Sequence, residues 1–138
     1  MLIEQVTIND PKNFNTMSYK AVNTVLWLDI AVTDLDRAIN FYQSLLNITG
    51  RDGRPASQSA SFQLSPNGSG LTLIKQPHVV QGGTLPYLNC NGRLDHALTQ
   101  TKLNGGKILQ DKHTMEPFGI RAVIVDSEQN RIALHSVE

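Results

Sequence analysis

An α+β fold made of two like halves is what this sequence predicts, and three observations carry the prediction. The phrase Leu35-Asp36-Arg37-Ala38 returns as Leu94-Asp95-His96-Ala97, 59 residues later in a chain of 138. Each copy follows an apolar, strand-like run, and each opens a segment with helical spacing of its apolar residues. Strand-like segments then follow each helix. Self-similarity at a fixed spacing marks a duplicated supersecondary unit, and two copies are too few for a solenoid, so two modules sharing one core are expected.

Residues 25–32 alternate almost strictly. Leu26, Leu28, Ile30 and Val32 point one way, while Val25, Trp27, Asp29 and Ala31 point the other. Period two predicts a strand whose aliphatic face lies under a helix. The face with Trp27 beside Asp29 is mixed, which makes it the candidate wall of a site. Thr33 or Asp34 is placed to cap the helix that follows, with Asp36 favourable in its first turn. Leu35, Ala38, Ile39, Phe41, Tyr42, Leu45 and Leu46 give that helix one apolar face. Two stretches rich in Gly, Pro, Ser and Asn (residues 50–57 and 65–70) flank a short strand at 61–64, and a further strand is expected at 70–74.

Residues 76–83 read as the connection between modules. The order then repeats, with a strand at about 85–90 and a helix at about 94–103 that starts from Asn91 or Gly92. Gly105-Gly106 supplies the helix stop, because a residue with positive φ is cheapest there. A strand at 107–109, a loop at 112–119 and a hairpin of 120–125 with 131–135 complete the half. Residues 126–130 (Asp-Ser-Glu-Gln-Asn) have the composition of a tight turn. Residues 1–22 form an arm before the repeat, with Leu2, Ile3, Val6 and Ile8 apolar. It is expected as an edge strand, a partner contact or a frayed terminus.

Twelve basic and twelve acidic residues cancel, so the basic stripe that nucleic acid requires is lacking. No apolar run approaches a membrane span, and the first residues lack the features of a secretory signal, so a cytoplasmic protein is expected. The single cysteine, Cys90, excludes an internal disulfide and a multi-thiolate metal site, and its apolar run predicts a buried, unreactive thiol. No Gly-rich phosphate loop or Ser-His-Asp signature occurs.

Four motifs in order resemble the vicinal oxygen chelate superfamily, which includes glyoxalase I, bleomycin resistance proteins and extradiol dioxygenases. They are Trp27-Leu28-Asp29-Ile30-Ala31-Val32-Thr33-Asp34-Leu35-Asp36-Arg37-Ala38-Ile39-Asn40-Phe41-Tyr42, Gly83-Thr84-Leu85-Pro86-Tyr87-Leu88-Asn89-Cys90, Gly105-Gly106-Lys107, and Asp126-Ser127-Glu128-Gln129-Asn130-Arg131-Ile132-Ala133-Leu134-His135-Ser136. The similarity is greatest to small bacterial glyoxalase-like and bleomycin-resistance-like proteins. It implies one domain over residues 23–138, built of two βαβββ modules (about 23–76 and 84–138). Their mixed sheets would curl around a cavity with the helices outside, and homodimers would be common.

The resemblance also implies where a metal would be held: one His, Gln or Glu on the first strand and one on the last strand of each module. The matching positions carry Trp27, Thr72, Pro86 (with neighbouring Tyr87 no better) and Ala133. None is a standard ligand for a divalent cation, so no metal and no cofactor are expected. The leading expectation is a metal-independent protein that binds a small, aromatic or amphipathic molecule in the sheet cavity. Trp27 would stack on it, Asp29 and His135 would orient its polar groups, and Phe118 would close one side. Two alternatives stand beside this. One is a glyoxalase-like lyase or isomerase using non-standard ligands or an Asp29/His135 acid–base pair; the other is a partner-binding subunit engaging through the arm. His113 and Glu116 are assigned to a lid-like loop, and His78 and His96 to exposed positions.

Overall fold

The computed structural model describes residues 23–80 and 82–138. The first half runs β1 (Trp27–Val32), α1 (Leu35–Leu46), β2 (Arg51–Asp52), β3 (Ser59–Gln63) and β4 (Gly70–Lys75). The second runs β5 (Tyr87–Asn89), α2 (Leu94–Leu103), β6 (Lys107–Thr114), β7 (Ile120–Val125) and β8 (Arg131–Ser136). Each half is a βαβββ unit. Its four-stranded mixed sheet has the first strand parallel to the last, in the order β1-β4-β3-β2 and β5-β8-β7-β6, and neither sheet closes into a barrel.

Alternation sets the faces as the sequence predicts within β1, but the strand starts at Trp27, so Leu26, expected under the helix, lies before it and is exposed. Ile30, Val32, Leu71 and Leu73 of the first sheet, and Ile132 and Leu134 of the second, are buried against the helices. Helix α1 covers the first sheet with Leu35, Ala38, Phe41, Tyr42, Leu45 and Leu46. Helix α2 contributes Leu94, Ala97 and Leu98, and residues of both halves join in one core. Asp34 is the N-cap of α1, its carboxylate accepting from Arg37 N at 3.0 Å.

Three expectations are corrected. Helix α2 begins from Arg93, without a side-chain cap, and neither Asn91 nor Gly92 fills that role. Strand β6 continues to Thr114, so His113 lies in the sheet and only Glu116 remains in the loop. Shifts of register between Ile108 and Gln110, and again between Gln110 and His113, break the alternation that would have revealed the strand. Short β2 falls within the stretch read as loop. The N-terminal arm, residues 1–22, lies outside the described residues.

The halves are latched by the turn between β7 and β8. Glu128, fully buried, accepts hydrogen bonds from Thr33 N and Asp34 N (both 3.0 Å), from Thr33 Oγ1 (3.1 Å) and from Ser127 Oγ (3.0 Å). Arg37 adds its Nε at 2.6 Å and its Nη2 at 3.0 Å. The carboxylate thus satisfies backbone donors at the start of α1, where negative charge is also favoured by the helix dipole. Beside it, Asp126 accepts from Tyr42 Oη at 2.5 Å and from Glu128 N and Asn130 N, while Asn130 Nδ2 donates to Ala31 O. Burial raises the Glu128 carboxyl, but Arg37, the two backbone N–H groups and Ser127 outweigh it and hold the group down at about 2. Asp126 has its pKa raised by burial in spite of its donors. The sequence marks these residues only as a turn. Their partners in α1 and β1 lie more than eighty positions away.

Candidate functional site

The inner faces of the two sheets, opposite the helices, carry the polar and aromatic residues. On the first sheet, strand pairing aligns Asp29, Thr72, Ser61 and Arg51 in a row, with Trp27, Gly70 and Gln63 in the next row on that face. Trp27 is fixed there: its indole Nε1–H donates to Thr72 Oγ1 at 2.7 Å. The six-membered ring lies over Gly70, where a Cβ would sit 2.7 Å from Trp27 Cη2 and 2.4 Å from Phe62 O. Only a residue without a side chain admits the indole this close to the sheet.

This arrangement bears on the metal positions. In the first half, two of them, Trp27 and Thr72, are bonded to each other. In the second half the register corrects the sequence matching. Asp29 lies opposite Thr72, and Tyr87 lies opposite Ala133. Matching Thr72 to Ala133 therefore makes Tyr87 the counterpart of Asp29, and Leu85, not Pro86, the counterpart of Trp27. Three residues separate Cys90 from α2 where two separate Val32 from α1, and Gly92 takes the extra step at φ 76°. A one-residue slip along a strand exchanges its faces, so Pro86 belongs with the helix-facing positions. Trp27, Thr72, Leu85 and Ala133 do not fit a divalent cation. Among the described residues, no three His, Cys, Asp or Glu side chains converge as a ligand set.

The sheets divide the residues singled out from sequence. Asp29 is exposed and lines a crevice of about 400 Å³, with Ala31 of β1 and with Pro86, Asn130 and Arg131 of the second half. His135 and Phe118 come together on the second sheet. The imidazole Nε2–H donates to the Phe118 carbonyl, and both residues line an open groove of about 540 Å³ with Tyr87, Leu88, Asn89 and Met115. Within one chain Asp29 and His135 thus border different pockets. A third pocket of about 510 Å³ lies at the end of the first sheet, lined in part by Leu28, Phe62, Leu71, Leu85 and Leu88. Cys90 is buried, and burial pushes its thiol up to about 11. His78 and His96 are exposed, as expected.

The second sheet also holds a constellation the sequence did not announce. Pairing places Asn89, His135, Arg121 and His113 in one row across four strands. Arg121 Nε donates to His113 Nε2 at 3.0 Å, and His113 Nδ1 meets Asp111 O at 2.9 Å. Because a guanidinium donates and a carbonyl accepts, His113 is the neutral Nδ1–H tautomer. Arg121 also donates to the Tyr87 hydroxyl, its guanidinium carbon 5.7 Å from the centre of that ring. The signal in the sequence was the alternation of Arg121 with buried Ala122 in β7; assigning His113 to a loop concealed the row.

No protein-family model and no curated protein sequence matches this chain. Solved structures match its fold. A glyoxalase/bleomycin resistance protein from Albidiferax ferrireducens T118 superposes with a TM-score of 0.71 at 18% identity, over 83% of this chain and 98% of that one. A glyoxalase/bleomycin resistance protein/dioxygenase family enzyme from Burkholderia phytofirmans PsJN gives 0.67 at 13% identity, over 82% and 98%. The fosfomycin resistance protein FosX from Mesorhizobium loti gives 0.62 at 11%, over 85% and 93%. The chain, built of two βαβββ units, thus shares the fold of these glyoxalase/bleomycin resistance structures.

Proposed function

We propose that this protein binds a small aromatic or amphipathic molecule on the inner faces of its sheets and does so without a metal. The observation that carries the reading is the Trp27–Thr72 bond at 2.7 Å over Gly70. It puts an indole platform, with its donor already satisfied, where a metal-dependent relative would need ligating oxygen or nitrogen. An indole held against the first sheet suits stacking, while on the second sheet the groove walls of Tyr87, Met115 and Phe118 offer apolar contact.

The test uses thermal melts of chelator-treated protein, with Ni²⁺, Zn²⁺, Mn²⁺ and Fe²⁺ in one series and a panel of aromatic acids, amines and amides in the other. A ligand at 100 times its Kd stabilises by about 2.7 kcal/mol, enough to move the midpoint. The expected outcome is no specific metal shift, a shift with members of the aromatic panel, and affinity lowered about fivefold or more in Trp27→Ala. A saturable shift with one metal would overturn the reading.

The same reading pairs two copies of the chain. In one chain the groove on the second sheet is open, leaving Tyr87 49% and Phe118 70% exposed. The inner face of the first sheet of one copy, laid over that of the second sheet of its partner, would close both. Sedimentation equilibrium at micromolar concentration should give twice the mass of the chain; a monomer throughout the range would remove the second copy from the site.

A further inference from the structure

We propose that the inner face of the second sheet is an oxyanion receptor centred on Arg121, so that the ligand of the preceding reading, on which this inference rests, is a small apolar or aromatic acid. Arg121 is a charge held in place by neutral groups. Its Nε–H is taken by His113, itself fixed through Asp111 O, and one Nη1–H by the Tyr87 hydroxyl, whose ring lies beneath the guanidinium. Carboxylates pair with Arg37, Arg54 and Lys112, whereas among the described residues none pairs with Arg121. A guanidinium has five N–H donors, so three remain for a ligand, enough for a bidentate grip on a carboxylate or phosphonate.

The surroundings fit such a ligand. Arg121 lies opposite His135, and His135 opposite Asn89, on strands that border the groove of Tyr87, Leu88, Asn89, Met115, Phe118 and His135. Asn89 has its Oδ1 engaged by Asn91 N at 2.9 Å, which leaves its amide N–H groups as further donors on the same row. The oxyanion would sit at the guanidinium, and the apolar body would lie along Phe118 and Met115. An arginine oriented by two neutral partners loses little freedom on binding, whereas an ion-paired one must first give up its carboxylate.

The experiment titrates benzoate, phenylphosphonate and the neutral isostere benzamide into the full chain at constant ionic strength. The Arg121 side-chain Nε–H is followed by NMR, and the fluorescence of Trp27, the one tryptophan of the sequence, is followed in parallel. Both anions should move the Arg121 resonance saturably and bind roughly tenfold or more tightly than benzamide, the scale of a charge-assisted hydrogen bond. Arg121→Gln should erase that preference. Tyr87→Phe, which keeps the ring and removes the hydroxyl that orients the guanidinium, should weaken the anions severalfold with the fold intact. Equal binding of benzoate and benzamide, or an Arg121 resonance that neither anion moves, would overturn the receptor. Quenching of Trp27 by aromatic compounds regardless of charge would at the same time leave the broader binding reading standing; a silent Trp27 beside a saturable Arg121 shift would overturn the stacking role of Trp27 and keep the receptor.

Discussion

Replacing Glu128 by glutamine tests whether the buried latch holds the two halves together. The carboxylate has no exposed surface and sits among six donors, two of them backbone N–H groups at the start of α1. A carboxyl held at about 2 against an ordinary 4.5 corresponds to about 3 kcal/mol of stability at neutral pH. Arg37 is half exposed and recovers water once its partner is neutral, so its share is discounted. Glu128→Gln should therefore cost about 2 kcal/mol in urea unfolding at pH 7, and Glu128→Ala about 3, since it also orphans the N–H groups of Thr33 and Asp34. The pH dependence has a definite sign. The folded-state pKa is lowered, so the contribution is complete above about pH 5 and drains away as the pH falls toward 2. The parent should approach the glutamine variant in stability across that window. A loss below 0.5 kcal/mol at pH 7, or a gap between parent and variant that persists unchanged at pH 2.5, would refute the latch.

One further substitution reads the sheet, and a labelling experiment reads the core. Gly70→Ala drives a methyl group against Trp27 and the Phe62 carbonyl; overpacking of this kind costs about 1–3 kcal/mol. It should lower the unfolding midpoint and shift the Trp27 emission, whereas an unchanged emission would mean the indole does not lie over Gly70. Cys90, buried with its thiol pushed up to about 11, should resist a thiol reagent at pH 7.5 until urea unfolds the chain. Stoichiometric labelling of the native protein within minutes would contradict its burial.

Much of the fold was legible because one face of each strand and helix is committed to the core. The alternation in β1 and the spacing of Leu35, Ala38, Phe41, Tyr42 and Leu45 state their burial directly. What escaped involved a break in period or a partner distant in sequence. Strand β6 was cut short because its bulges spoil the alternation just where His113 enters the sheet. Matching the halves by the repeated helix phrase placed Pro86 opposite Trp27. The strands, however, are joined to their helices by turns of different length, and only the ladder reveals the step. Glu128 looked like a turn residue because nothing local tells a buried acid bound to a distant helix start from a solvated one. Trp27 was found from the mixed face it sits on; its bond to Thr72 was not, since residues 45 positions apart meet only once β1 pairs with β4.

The latch and the inner faces answer opposite demands, and this separates stability from binding. Asp126, Glu128 and Tyr42 are buried and mutually bonded, and they line none of the three pockets described, so changing them acts first on the junction of the halves. Trp27, Tyr87, His113, Arg121 and His135 are partly or largely exposed on faces that contribute little to the core. An oxygen-rich ligand in this fold needs positive charge on the inner face. Trp27, Thr72, Leu85 and Ala133 are not standard ligands for a cation that would supply it. Arg121, across β8 from the groove and braced by His113 and Tyr87, places a permanent charge on the same face without any ion. A guanidinium binds an oxyanion through directed N–H donors, and it does not activate water as a bound divalent ion does. If the proposed receptor is right, benzoate and benzamide must be told apart by their charge, and that discrimination is lost with the Arg121 guanidinium.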